Sequence, residues 1–172
     1  MKNWRRYYFT IFVAVFVACA APPLAVAQDS ATVLENPELA RVVPPGFYFQ
    51  GQSAQTQMRN AAAARFGSNR YVIAGLVDTS GYAADVRAKY QGFLITDSSI
   101  TLNGSDLPTG AYGFGFSDNG KLNIFDLAGH EILSVSTTKD AGLKQPRPLM
   151  MVNSAGAVRL YSGKDYIAIA AK

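Results

Sequence analysis

The sequence predicts an all-β fold, either an antiparallel β-sandwich or a small barrel of about 8–10 short strands. Three features support this prediction. From residue 46 onward, short apolar stretches are separated by turns that contain glycine. Several stretches alternate large and small or apolar and polar residues, which is typical of strands with one buried face. The intervals between them are too short for the crossovers that parallel strands need, so the pairing is expected to be antiparallel.

The candidate strands are rich in β-branched and aromatic residues, the types that favour strands. They lie at residues 47–51, 70–78, 91–96, 99–102, 111–117, 121–127, 131–136, 149–153, 157–161 and 165–170. The turns between them contain glycine at a position that can adopt positive φ, at 103–104, 118–120, 128–130, 154–156 and 162–164. We therefore expect a single β domain over residues 46–172.

Two stretches leave alternatives open. Residues 57–65 (QMRNAAAAR) have high helix propensity, but a turn-like FGSNRY segment follows at once, so a strand is favoured. Residues 82–90 (YAADVRAKY) fit either a short helix capped by Ser80 or an irregular excursion. Upstream, residues 28–45 form a polar lead-in, in which Asn36 followed by proline indicates one helical turn.

Residues 1–27 have the pattern of a secretory signal peptide. A basic start runs into the apolar stretch 9–21, which is shorter than the roughly 20 residues of a membrane span. A small-x-small site ends at Ala27, so the mature chain would begin at Gln28. The sequence therefore predicts a secreted or periplasmic protein.

Two alternatives to ordinary export also stay open. The arginine pair at residues 5–6 fits a loose twin-arginine pattern, which would imply export of a folded protein. Cys19 is a candidate for lipidation, and we expect the mature β domain to be anchored to a membrane only if that cysteine is modified.

The predicted mature chain is nearly neutral and contains no cysteine. The whole chain has a formal net charge of +4, and removing Lys2, Arg5 and Arg6 lowers it to +1. A nearly neutral chain gives no reason to expect nucleic acid as a partner. Because Cys19 is the only cysteine, disulfides and cysteine-based metal or nucleophile chemistry are excluded from the mature chain. We expect no cofactor and no bound metal.

The strand at 111–117 separates rings from glycines. Tyr112, Phe114 and Phe116 point to one face, where three rings are expected to build the core. Gly113 and Gly115 point to the other face. Glycine inside a strand marks strong curvature or the close approach of another backbone, and the functional alternative is a flat ligand on the bare face.

Two short motifs resemble those of extracellular β modules. Residues 107–112 (LPTGAY) resemble the strand entry of transthyretin-like and other β-sandwich domains. Residues 124–129 (IFDLAG) are similar to a hairpin of bacterial C-terminal sorting and sandwich domains, although the two motifs occur here in the reverse order. The mature chain resembles a small family of bacterial secreted proteins without an assigned activity. The resemblance implies a β-sandwich and no particular catalytic residue.

The residues that could support catalysis are few. His130 is the only histidine and lies in a glycine turn, where a solvated loop residue is the default. Among the aspartates, Asp78 and Asp97 are the candidate carboxylate pair, because both follow well-formed strands. Most of the acids instead lie where they can accept backbone hydrogen bonds in turns.

The leading hypothesis is a non-enzymatic β domain that binds a small ligand or a protein. The alternatives are a secreted hydrolase that uses aspartates and tyrosines, and a small outer-membrane β-barrel, for which most strands are shorter than the 9–11 residues or so that are needed. Loops on a rigid β scaffold often hold the recognition residues, so the longest non-strand segments, 78–90 and 140–148, are the expected site. The candidate ligand-binding residues are Tyr82, Arg87, Gly113, Gly115, Lys144 and Arg147.

Overall fold

The computed structural model of the protein describes residues 31–154 and 157–172. The predicted signal peptide, its cleavage site at Ala27 and the candidate lipidation site Cys19 lie outside the described residues. So do two residues of the turn predicted at 154–156. The described chain is built almost entirely from strands, with two short helices.

The strands follow one another along the chain as β1 (Ala31–Val33), β2 (Gly46–Phe49), β3 (Gln52–Phe66), β4 (Arg70–Val77), β5 (Gly92–Thr96), β6 (Ile100–Leu102), β7 (Ser105–Leu107), β8 (Gly110–Ser117), β9 (Lys121–Phe125), β10 (Glu131–Ser136), β11 (Thr138–Lys139), β12 (Arg147–Ser154), β13 (Ala157–Gly163) and β14 (Asp165–Ala171). The helices are α1 (Glu38–Val42) and α2 (Ala84–Arg87). Neither of these one-turn helices has the length that a bilayer crossing requires, and the described residues contain no other helix.

The strands form two sheets in which every pairing is antiparallel. The larger sheet has the order β1-β3-β4-β5-β8-β9-β10, with β2 paired to the first part of β3. The smaller sheet has the order β12-β13-β14-β6-β7, with β11 paired to β14. Because the described strands divide between two separate open sheets, the predicted antiparallel β-sandwich is confirmed and the small closed barrel is not.

An inner core fills the space between the two sheets. It contains Phe114 from β8 and Ile124 from β9, packed with residues of the smaller sheet such as Leu160 and Ile167. All four side chains are fully buried. Tyr112 and Phe116 pack against the same core, so the ring face of the strand at 111–117 lies where the sequence places it.

An outer core covers the opposite face of the larger sheet, and its largest members are aromatic. The rings are Phe47, Phe49, Tyr82, Tyr90, Phe93 and Phe125. Phe47 stacks on Phe93 with 5.0 Å between ring centroids, and Phe49 stacks on Tyr90 with 4.0 Å. The covering elements are the β2–β3 hairpin and the 78–90 segment, so the central strands of the larger sheet are buried on both faces.

The structure corrects several details of the predicted elements. The described residues form fourteen strands rather than 8–10. Besides the ten candidate strands, they contain β3, which the sequence favours but leaves open, and the short strands β1, β7 and β11, which the pattern missed. The lead-in at 28–45 includes β1, which pairs with the end of β3. The 57–65 stretch belongs to a strand as favoured, and α2 is present in 82–90. Ser80 does not cap α2, since the residue before that helix is Ala83 and makes no side-chain cap.

Candidate functional site

The glycine face of β8 is filled by the protein itself. Gly113 pairs with Phe93 on one side and Phe125 on the other, and the ring of Phe49 occupies the space between them. A methyl group at Gly113 would overlap that ring, and one at Gly115 would overlap the carbonyl oxygen of Lys89. The ligand-binding assignment of Gly113 and Gly115 is therefore wrong, because close packing occupies the face.

Tyr82 is part of the outer core and does not face an open site. Its side chain is buried, and its hydroxyl lies 3.1 Å from the Phe49 carbonyl oxygen and 3.0 Å from that of Gln52. Burial raises the pKa of the Tyr82 hydroxyl. The side chain ties the 78–90 segment to the β2–β3 hairpin, which corrects its assignment as a ligand-binding residue.

A large bulge interrupts β3 and places Arg59 on the surface. The pairing with β4 jumps from Thr56 opposite Val77 to Ala61 opposite Gly75, so the intervening residues of β3 loop out. Within the bulge, the side-chain amide of Gln57 donates a hydrogen bond to the Val77 carbonyl oxygen at 3.0 Å. Bulges of this kind redirect side chains, and here Arg59 is exposed.

A second irregularity interrupts β12. Arg147 pairs with Gly163 and Met150 pairs with Tyr161, so one extra residue lies in β12 between these positions. Pro148 falls in this interval and cannot donate a backbone hydrogen bond. The start of β12 is thereby displaced from regular pairing, and it lies beside the larger sheet at β3.

The two irregular strands border a cavity of about 470 Å³, here called the arginine cleft. It is lined by Val33, Leu34, Glu35, Asn36, Leu39, Arg59, Ala61, Ala62, Arg147, Leu149, Met150 and Met151. Eight of the twelve lining residues are apolar, and two guanidinium groups and one carboxylate supply the charge of the cleft. Among the described residues, neither Arg59 nor Arg147 forms an ion pair or a side-chain hydrogen bond.

A smaller cavity of about 340 Å³ adjoins the other side of both irregular segments. Its lining includes Gln57, Arg87 and Pro148. The 78–90 segment and the 140–148 loop, which the sequence pairs as a site, thus meet in this cavity through Arg87 and Pro148. Lys144 is exposed on the same loop and lines neither cavity.

A polar groove of about 670 Å³ runs along the next part of the sandwich edge. It is lined by Gln91, Phe116, Ser117, Asp118, Asn119, Gly120, Thr137, Lys139, Ser162 and Asp165. Asp118 and Asp165 are the acids that share this groove.

The predicted carboxylate pair of Asp78 and Asp97 is wrong. Asp97 accepts a hydrogen bond from the Tyr71 backbone amide at one end of β4, whereas Asp78 follows the other end of that strand. A strand of that length separates them by roughly 20 Å.

His130 lies in an exposed turn, as expected. Its Nδ1 is 2.9 Å from Asp126 Oδ2, and its backbone amide donates to the other carboxylate oxygen at 2.9 Å. These hydrogen bonds lower the pKa of Asp126. They close the β9–β10 turn, and the described residues contain no group of three or more potential metal ligands.

Arg59 is not among the six candidate ligand-binding residues predicted from the sequence. Its neighbours in sequence do not join it at the cleft, because Arg65 lies at the far end of β3 and Arg70 donates to a backbone oxygen of Lys172 at 3.1 Å. Comparison with known proteins finds no matching family model, no matching curated protein and no matching solved structure.

Proposed function

We propose that the protein is an exported, non-enzymatic binding domain that holds a carboxylate-bearing, partly apolar ligand in the arginine cleft. The observation that carries the proposal is the pair Arg59 and Arg147. Both line one cavity, and within the described residues both lack an anionic partner.

The chemistry of the lining supports a ligand with two parts. A guanidinium presents a rigid set of N–H donors that matches both oxygens of a carboxylate. Val33, Leu39 and Met150 are partly exposed in this lining and offer apolar contact area. Glu35 contributes the only opposing charge of the lining, so the cleft has a net positive charge.

The surrounding framework supports binding through a formed cavity. The cleft lies between strands of two sheets whose common core is fully packed, so its walls are held in place before a ligand arrives. Cavities of this volume with an apolar lining and a few polar groups are typical of small-ligand sites.

Isothermal titration of the purified protein with N-acetyl-leucine tests this proposal. The acid is expected to bind, and its neutral amide is expected to bind at least tenfold more weakly because it lacks the carboxylate. Arg59→Gln and Arg147→Gln should each weaken binding of the acid about tenfold, which corresponds to about 1.4 kcal/mol. Both side chains are exposed, so thermal unfolding should be nearly unchanged.

Lys121→Gln is the matched control. It removes one positive charge from an exposed position on β9, four strands from β3 in the larger sheet and hence roughly 19 Å away. Binding of the acid should be unchanged in this variant. Equal affinity for acid and amide, or an equal loss in all three variants, would contradict the proposal.

The export part of the proposal rests on the first 27 residues. Its test is the N-terminal sequence of the protein recovered outside the cytoplasm, which should begin at Gln28. A recovered chain that retains Met1 and stays in the cytoplasm would contradict it.

A further inference from the structure

β12 is an edge strand that runs along the arginine cleft. It is the first strand of the smaller sheet, and β13 is its only strand partner among the described residues. An edge strand presents a row of backbone N–H and C=O groups without strand partners. Four residues at the start of β12, Arg147, Leu149, Met150 and Met151, line the cleft.

The opposite wall of the cleft comes from the edge of the larger sheet. β1 is the terminal strand of that sheet, and Val33 and Leu34 face β12 across the cavity. The Leu34 amide already donates to the Ala63 carbonyl at 2.8 Å. The backbone groups of β12 that point away from β13 have no such partner among the described residues.

Most of β12 lacks the devices that usually block strand addition. Natural edge strands are protected by charged residues, prolines or bulges. In β12 these devices occur only at the start, at Arg147 and Pro148, whereas residues 150–154 (MMVNS) contain no charge and no proline. Val152 is an exposed apolar side chain in this unprotected part.

Resting on the proposed function, we infer that the natural ligand is an extended acidic segment of a partner protein that pairs with the free edge of β12. Backbone hydrogen bonds to β12 supply affinity, as in other cases of strand addition. Carboxylates of the segment meet Arg59 and Arg147, and its apolar side chains contact the lining near Met150. Unbranched methionine side chains adapt to partners of varied shape.

Three capped peptides test the inference. The first alternates glutamate with valine, the second has the same sequence with N-methyl groups on alternate backbone amides, and the third replaces glutamate with glutamine. Strand addition predicts that N-methylation weakens binding at least tenfold, because it removes backbone donors and leaves every side chain in place. The glutamine peptide should also bind at least tenfold more weakly.

Amide hydrogen exchange locates the pairing on the protein. Binding of the first peptide should slow exchange at alternate residues of β12 between Met150 and Ser154, because only every second amide points away from β13. The edge strand β10 is the internal comparison and should be unaffected. Protection at β10 instead of β12, or equal affinity for the methylated peptide, would overturn the inference.

These outcomes separate the two proposals. If N-acetyl-leucine binds and depends on Arg59 and Arg147, but the methylated and unmethylated peptides bind equally, the cleft binds carboxylates and strand addition is wrong. If neither the acid nor the peptides bind, the proposed function itself fails.

Discussion

The two faces of the larger sheet are buried in different ways. The inner core is mostly aliphatic and arises where two sheets pack, with each strand contributing every second side chain. The outer core is rich in rings and is covered by a hairpin and a short helical segment. On that side β8 contributes glycines, and the ring of Phe49 and the backbone at Lys89 occupy the space that side chains would have taken.

The difference shows how one strand can serve two packing surfaces. The rings of β8 fill the inner core, while Gly113 and Gly115 admit the ring of Phe49 and the backbone at Lys89 on the outer side. The glycines cost the strand intrinsic stability, and the docking of the covering segments offsets that cost. Both cores are therefore expected to be part of one cooperative fold.

The largest expected effect comes from truncating one ring in each core. Phe49→Ala and Phe114→Ala each remove a fully buried ring and should each lower the free energy of unfolding by about 3–5 kcal/mol. Chemical denaturation followed by far-UV and near-UV circular dichroism should give coincident transitions in both variants. Loss of the near-UV signal before the strand signal in Phe49→Ala would show that the outer core is a separately unfolding layer.

A smaller but sharper effect is expected at Gly115. Gly115→Ala places a methyl group against the Lys89 carbonyl oxygen, which is backbone and moves only with its whole segment. We expect a loss of about 3 kcal/mol in the free energy of unfolding. Gly142→Ala is the control, because its new methyl group would make an ordinary contact of 3.4 Å with Asp140 Oδ1. Equal stability of the two variants would rule out close packing at Gly115.

The two outer-core tyrosines should differ when each loses its hydroxyl. Tyr82→Phe removes the one hydroxyl proton that the Phe49 and Gln52 carbonyl oxygens share, and should cost about 1–2 kcal/mol in urea denaturation. Tyr90→Phe removes a buried hydroxyl that forms no hydrogen bond of ordinary geometry with a described residue and has at most a weak polar contact with the Tyr82 hydroxyl. The free energy of unfolding of Tyr90→Phe should change little or rise. A larger loss than in Tyr82→Phe would show that the Tyr90 hydroxyl contributes more to stability than the Tyr82 hydroxyl, contrary to this expectation.

Alkaline pH should weaken the fold through the same tyrosines. Burial raises the pKa of Tyr90 above the ordinary value of 10.0, so the unfolded chain ionises first as the pH rises. The stabilisation is complete below pH 10 and decreases above it, by at most about 1.4 kcal/mol per pH unit for each such group. Urea denaturation from pH 9 to about pH 11 should show a shallower decline in Tyr90→Phe. If the free energy of unfolding declined equally steeply with pH in the wild-type protein and in Tyr90→Phe, a contribution from Tyr90 ionisation would be excluded.

The sequence predicts the inner architecture well because alternation and turn chemistry are local. Each strand that it proposes has a counterpart in the structure, and the Asn103-Gly104 turn adopts positive φ at both residues, as hairpins of two residues require. β1 was missed because it is short, lies in a polar segment and pairs only at the end of β3. Such a strand depends on its partner rather than on its own pattern.

The candidate site could be predicted less completely from the sequence than the fold. Arg87 and Arg147 could be proposed because they occur in or at the end of the longest non-strand segments. Arg59 could not be placed beside Arg147, since its position depends on a bulge that has no signature in a run of small residues. The alternation of residues in β8 also predicts a face without side chains at Gly113. It does not show that Phe49, which belongs to the β2–β3 hairpin, covers this face.

An NMR titration of the isotope-labelled protein with the glutamate–valine peptide tests the central claim most directly. We propose ligand binding at the arginine cleft, whereas close packing fills the glycine face of β8. The backbone amide signals of Arg59, Arg147 and Met150 should therefore shift, and those of Gly113 and Gly115 should stay unchanged. Shifts confined to Gly113 and Gly115, with a silent cleft, would contradict this proposal.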